Sequence, residues 1–198
     1  MDNIRTAFIT FFPIKPDTMG SSAVVNSRFL NWPYKKKIFQ LSHVKKINNN
    51  KIETIFINKE KPLRKIFKLP EIIFRVNKYL KKSKKKIIII EGASWIFYSF
   101  IILFFFKIFF PQKKIIYISH SIESEIRKKF SNIYIYYFTK FLENLVFKYA
   151  DISTSVSKKE QNKIKSYYKS KTILLPNGIT IESFDKNKKI NFDYLIYS

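Results

Sequence analysis

The chain has 198 residues, 46% of them apolar with 21 Phe, which is enough to bury the core of one ordinary domain and argues against a disordered chain. Its 38 Lys+Arg against 14 Asp+Glu leave a formal net charge of +24, but only five of the basic residues are Arg. That is a lysine-solvated surface and not the Arg-rich surface of a sequence reader, so no specific nucleic-acid partner is expected. The absence of Cys excludes disulfides and thiolate metal sites and fits a cytoplasmic chain.

In chain order, short apolar runs alternate with helical segments. Strands are predicted at 6–12, 37–41, 52–57, 87–90, 115–119, 152–156 and 172–175, several of them continuous β-branched runs as expected for strands covered on both faces. Helices are predicted at 22–31, 64–82, 95–110, 133–150 and 158–168. The first apolar stretch carries Pro13 and no small-residue cleavage site, so it reads as a buried strand and not a signal peptide. Ser157 and Glu160 have the spacing of a capping box that starts the last helix. The alternation implies an α/β fold, a Rossmann-like doubly wound parallel sheet.

The segment WIFYSFIILFFFKIFF (95–110) has one charge, Lys107. As a helix it would span roughly 24 Å at 1.5 Å per residue, short of the roughly 30 Å hydrocarbon core of a bilayer. It is therefore expected to be a buried or membrane-surface helix and not a membrane span. Near the end, 182–189 is polar and reads as a linker, followed by one more apolar strand at 192–197. Two units are expected: a Rossmann-like domain over 1–180, then a linker and the first strand of a second domain over 181–198.

All three glycines, Gly20, Gly92 and Gly178, fall past the ends of predicted strands, on the edge of a parallel sheet where ligands dock. The loop ending in Gly20-Ser21-Ser22 opens a helix whose N-terminal N–H groups and hydroxyls suit a diphosphate, although such serines also serve simply as caps. No G-x-G-x-x-G is present, so a nicotinamide or flavin fingerprint is absent. His120 ends the fifth strand, where an imidazole can donate to a sugar hydroxyl or phosphate or transfer a proton. The order Glu123, Glu125, then Arg127, Lys128 and Lys129 suits any helix dipole. His43 reads as structural or solvated. No acid/base carboxylate pair and no metal cluster is visible, which describes a binding cleft more than a self-contained catalytic centre.

Taken together, YISHSIESE (117–125), FKYADISTSVSKKE (147–160) and ILLPNGI (173–179) resemble, in order and spacing, the family 4 glycosyltransferases, as does the first loop with Gly20-Ser21-Ser22. The resemblance covers residues 4–184 and implies the N-terminal, acceptor-side half of a GT-B architecture. It implies transfer of a sugar from a nucleotide-sugar to a glycan or lipid-linked acceptor with retention of configuration. The nucleotide-sugar is a co-substrate, and no separate cofactor is implied. By the same resemblance His120 would be catalytic, beside the transferred sugar. Gly20 and Ser21, with Ser22, would face the donor diphosphate, and Glu123, Asn177 and Gly178 would complete the substrate-binding set. The chain alone is expected to lack activity, because the second domain holds the donor. An alternative expectation is a non-enzymatic α/β protein bound peripherally to an anionic membrane surface on its cytoplasmic face. A receiver- or flavodoxin-like domain fits the alternation but not the Pro-Asn-Gly turn followed by a new strand.

Overall fold

The computed structural model describes residues 4–14, 20–43, 50–58 and 61–177. Its elements in order are β1 (Ile4–Thr10), α1 (Gly20–Asn31), β2 (Lys35–Ser42), β3 (Ile52–Phe56), α2 (Pro62–Leu80), β4 (Lys85–Glu91), α3 (Ile96–Phe109), β5 (Lys114–Ile118), α4 (Glu123–Phe130), α5 (Ile133–Tyr149), β6 (Ile152–Ser155), α6 (Lys158–Tyr168) and β7 (Ile173–Leu174). All seven strands form one parallel sheet in the order β3-β2-β1-β4-β5-β6-β7. Each strand predicted up to residue 175 and each predicted helix is present, with ends shifted by a few residues, while the strand expected at 192–197 lies outside the described residues. One helix, α4, was not separately predicted, because eight residues with three basic ones in the last turn carry little apolar periodicity.

Side-chain alternation divides the sheet into two faces. Ala7, Ile9, Phe39, Leu41, Ile88, Ile90 and Tyr117 point to a layer formed by α2, α3, α5 and α6. Phe8, Ile38, Ile89 and Ile118 point the other way, toward Val25 and Phe29 of α1. Each fully buried Ile or Phe contributes roughly 1.5–3 kcal/mol of transfer free energy. The run of four isoleucines in β4 (Ile87–Ile90) thus reads as a strand apolar on both faces, at the centre of the sheet beside β1.

The aromatic segment at 95–110 forms α3, packed between α2 and α5 with Ile96, Tyr98, Ile102, Leu103 and Phe106 buried. Among the described residues, no helix is long and apolar enough to cross a membrane.

The chain leaves β1 toward β2 through α1 on one face, and leaves β4 toward β5 through α3 on the other. The direction of winding reverses between β1 and β4, and in open α/β sheets the crevice above that reversal is where ligands bind. Gly92 sits at the rim of this crevice. Its N–H donates to Ile118 O (2.8 Å), continuing the β4–β5 ladder one residue further. A Cβ there would lie 2.5 Å from Tyr117 Oη and 2.8 Å from Ile118 O, whereas a Cβ on Gly20 would meet open space. Gly92 is therefore required by packing and Gly20 is not.

A buried cation lies at the opposite, amino edge of the sheet. Lys113 is 2% exposed, donates to Asn77 Oδ1 (2.6 Å) and lies 3.5 Å from the ring centre of Phe110. Burial, with repulsion from Lys86 and Lys81, lowers its pKa to about 8. The unfolded chain thus binds this proton more tightly than the folded one, so stability rises with pH between about 8 and 10.5.

Two stability measurements check these readings. Gly92→Ala is expected to destabilise by about 1–3 kcal/mol in denaturant titration, as overpacking does, while Gly20→Ala leaves the midpoint unchanged or slightly higher. In melts across pH, Lys113→Met is expected to gain most over the parent at neutral pH, and that gain shrinks as pH rises from about 8 to 10.5.

Candidate functional site

The site is built by strand register. Glu91 pairs with Ile118 across β4–β5, and His120 follows two residues later. Period-2 alternation puts Ile89 and Glu91 on one face together with Ile116, Ile118 and His120, which is the α1 face. Helix α1 crosses that face, and from its last turn Arg28 reaches down.

The three side chains meet. Arg28 Nη1 donates to both oxygens of Glu91, at 2.9 and 2.8 Å. His120 Nε2 lies 2.8 Å from Glu91 Oε2. The Glu91 side chain is 0% exposed, Arg28 12% and His120 9%. A carboxylate engaged by an arginine can only accept, so the proton on this side belongs to His120 Nε2. In the neutral ring, Nδ1 is then left as a lone pair. Among the described residues Nδ1 makes no hydrogen bond of its own. The arrangement fixes an imidazole at the carboxyl edge of the sheet, with its tautomer set by a buried acid.

Helix starts crowd the same edge. Gly20 and Ser21 open α1, with Gly20 exposed and Ser21 partly so. Ser22 is 0% exposed and its Oγ donates to Pro13 O (2.8 Å), tying α1 back to the start of the first loop. The rest of that loop, 15–19, lies outside the described residues. Glu123 opens α4. Its Oε2 accepts from Ile96 N (2.6 Å) and its Oε1 from Arg127 Nε and Nη2 (2.9 and 2.7 Å), so it caps α3. Glu143 of α5 repeats the device, accepting from Glu123 N (2.6 Å) and Ser124 N (3.2 Å) at the start of α4, and from Tyr168 Oη (2.5 Å). Each carboxylate meets orphan N–H groups at the positive end of a helix. Burial nevertheless pushes both the Glu123 and Glu143 carboxyls above the ordinary range. Ser157 Oγ accepts from Glu160 N (3.2 Å), the capping contact predicted for α6.

The structure thus brings His120 to the rim, with Gly20 and Ser21 at the start of α1, while Ser22 and Glu123 spend their polar atoms on neighbouring backbone. Asn177 is exposed beyond β7, and Gly178 falls outside the described residues, as does the linker and strand expected at 181–198. His43 is exposed just past β2. Sequence reasoning missed Arg28 and Glu91. The signal was present in the lone acid that ends an all-isoleucine strand, since a carboxylate there must be paired or carry a heavy desolvation cost.

Breaking a buried pair by removing one charge costs roughly 3–5 kcal/mol, and Glu91→Gln is expected to fall in that range by denaturant titration. In ¹⁵N NMR of the imidazole, the same variant should lose the fixed Nε2–H tautomer of His120. An unchanged His120 signal would show that Glu91 does not orient the ring.

No protein-family model matches the sequence, and no curated protein is significantly similar to it. Solved structures do match in fold. Sucrose-phosphate synthase from Thermosynechococcus elongatus superposes with a TM-score of 0.54 at 14% identity, over 87% of this chain and 47% of that one. A putative UDP-N-acetylglucosamine 2-epimerase from Listeria monocytogenes gives a TM-score of 0.49 at 13% identity, over 84% of this chain and 42% of that one. The chain spans about half the length of these neighbours. What it shares with the synthase is the fold, a seven-stranded, all-parallel, Rossmann-like α/β sheet with flanking helices.

Proposed function

We propose that this chain is the N-terminal, acceptor-side domain of a retaining, nucleotide-sugar-dependent glycosyltransferase of the family 4 kind. Its acceptor would be a glycan or a lipid-linked sugar, and donor binding would need a second domain following residue 180. The observation that carries the reading is the Arg28–Glu91–His120 assembly at the point where the sheet reverses its winding. A sugar-transfer site needs a group at that rim able to hold a sugar hydroxyl or exchange a proton while positive charge develops on the sugar ring. An imidazole with a buried acid behind it meets this need, because its orientation is set before the substrate arrives.

In this reading His120 touches the transferred sugar, and Glu91 and Arg28 act as positioning residues. The N-terminal N–H groups of α1 at Gly20 and Ser21 face the departing diphosphate, whose charge calls for fixed donors at a helix start. Ser22 and Glu123 serve from behind, Ser22 by anchoring α1 and Glu123 by holding the start of α3. Asn177 and Gly178 lead into the connection to the donor-binding half. A peripheral position on the inner face of a membrane would keep such an enzyme beside lipid-linked acceptors.

The test uses the protein purified from its own host, first weighed intact. A mass near double the 23.8 kDa of this chain is the expected result. Incubated with a panel of nucleotide-sugars and acceptor lipids, that protein should release nucleoside diphosphate. His120→Ala should lower kcat about 100-fold or more, the range of a lost general acid or base. No turnover with any donor, or full turnover by the His120→Ala variant, would sink the assignment. Transfer by the 198-residue chain alone would remove the need for a second domain.

A further inference from the structure

The outward face of α5 reverses the usual rule for a surface helix. The inward positions Thr139, Leu142, Glu143, Val146 and Phe147 are buried. The opposite stripe should then be polar. Instead its first half reads Tyr134, Tyr137, Phe138 and Phe141, exposed by 82, 61, 44 and 58%. Phe130, at the end of α4, adds another ring at 82% exposure, separated from α5 only by Ser131 and Asn132. Exposed apolar side chains scattered singly are ordinary, whereas a contiguous set marks a surface that meets something.

Beside this stripe lies a basic hollow of about 470 Å³ between α4, α5 and α6, to which Lys128, Lys129, Lys140 and Lys163 contribute. Its only acid, Glu125, is neutralised by Lys163 at 2.6 and 2.7 Å. Lys140 has its ammonium 5.9 and 5.5 Å from the rings of Tyr136 and Tyr167. Among the described residues Lys128, Lys129 and Lys140 pair with no carboxylate, so three uncompensated positive charges flank the exposed rings.

Two partners are compatible with exposed rings: another protein surface or a lipid bilayer. Protein interfaces favour Tyr, Phe and Arg at their cores but are depleted in Lys. Interfacial membrane surfaces combine amphipathic aromatics with lysines, the rings lodged at the headgroup–acyl boundary and the ammonium groups on lipid phosphates. Tyrosines and phenylalanines on one stripe next to lysines match the second pattern.

We propose that the α4–α5 hairpin is a docking surface for an anionic lipid bilayer, with Tyr134, Tyr137 and Phe141 entering the interface and Lys128, Lys129 and Lys140 meeting lipid phosphates. The expected membrane face is thus moved from α3, which packs between its neighbours, to the hairpin beside it. Helix α4 begins at the carboxyl edge of the sheet, directly after β5, so docking would hold that rim near the lipid surface. The proposal does not rest on the sugar-transfer reading, and either can fail without the other.

The test is co-sedimentation of the full chain with vesicles of phosphatidylcholine alone or mixed with phosphatidylglycerol, at low and high salt. The chain is expected to bind the anionic vesicles and to leave them at high salt. At about 1 kcal/mol per lysine near the surface, each Lys→Gln change at 128, 129 or 140 should weaken binding about fivefold. Tyr134→Ser with Phe141→Ser should also release the chain. A control triple at the far edge of the sheet, Lys35→Gln, Lys81→Gln and Lys84→Gln, removes the same charge as the combined change at 128, 129 and 140 and should bind as the parent does. Equal loss from the control triple would overturn the proposal in favour of a diffuse charge effect. Equal binding to neutral vesicles would also overturn it, as would undiminished binding by the aromatic double variant. Hydrogen exchange on the unsubstituted chain reads the same surface without a mutation. Slowed exchange over 128–141 on adding anionic vesicles is expected, and no change there would overturn the assignment.

Discussion

The candidate site depends on one buried carboxylate. Glu91 ends the central strand β4 with no solvent access, and in such a position a charge survives only with a partner and a full set of donors. Arg28 supplies the countercharge from the helix over one face, and His120 supplies the second donor from the neighbouring strand end. A single acid thereby ties together α1, β4 and the loop after β5. These are the three segments that meet where the sheet reverses its winding. Rigidity at that rim and orientation of the imidazole have the same physical origin.

The helix starts on the other face follow a related logic. Parallel sheets place every following helix with its N-terminus at the same edge, which gathers unsatisfied N–H groups and positive dipole ends there. Glu123 answers α3 and Glu143 answers α4, each from the next helix along, so three helices are linked through two carboxylates. Burial pushes both carboxyls up, so part of the capping energy is offset by desolvation. The starts of α3 and α4 are thereby occupied by protein groups, whereas α1 begins with an exposed glycine and has no acid in its first turn.

The lysine excess and the aromatic excess have separate consequences. Many lysines cover the outside as ordinary solvated residues, and some extend over rings, as Lys36 does over Phe29. Rings serve mainly as core, in the two clusters on either side of the sheet. Around α4 and α5 the two classes meet in the open, where Phe130 and Tyr134 stand next to lysines that pair with no carboxylate among the described residues. Composition alone could not have located that meeting, because it depends on which stripe of α5 faces outward.

What the sequence by itself determined is the architecture. Runs such as Ile87–Ile90 can be satisfied only as strands covered on both faces, the intervening amphipathic segments supply the cover, and right-handed crossovers then leave few topologies. The rim position of His120 was legible as well, since it needs only the end of one strand. Tertiary structure alone decided what His120 leans on. Arg28, Glu91 and His120 are separated by 63 and 29 positions, and nothing local links them. Their meeting is a product of register between β4 and β5 and of the angle at which α1 crosses the sheet. The same holds for the glycines, which look alike in sequence. Gly92 is fixed by the Tyr117 ring packed against it and Gly20 by no neighbour at all, because steric need arises only when distant strands close on one another.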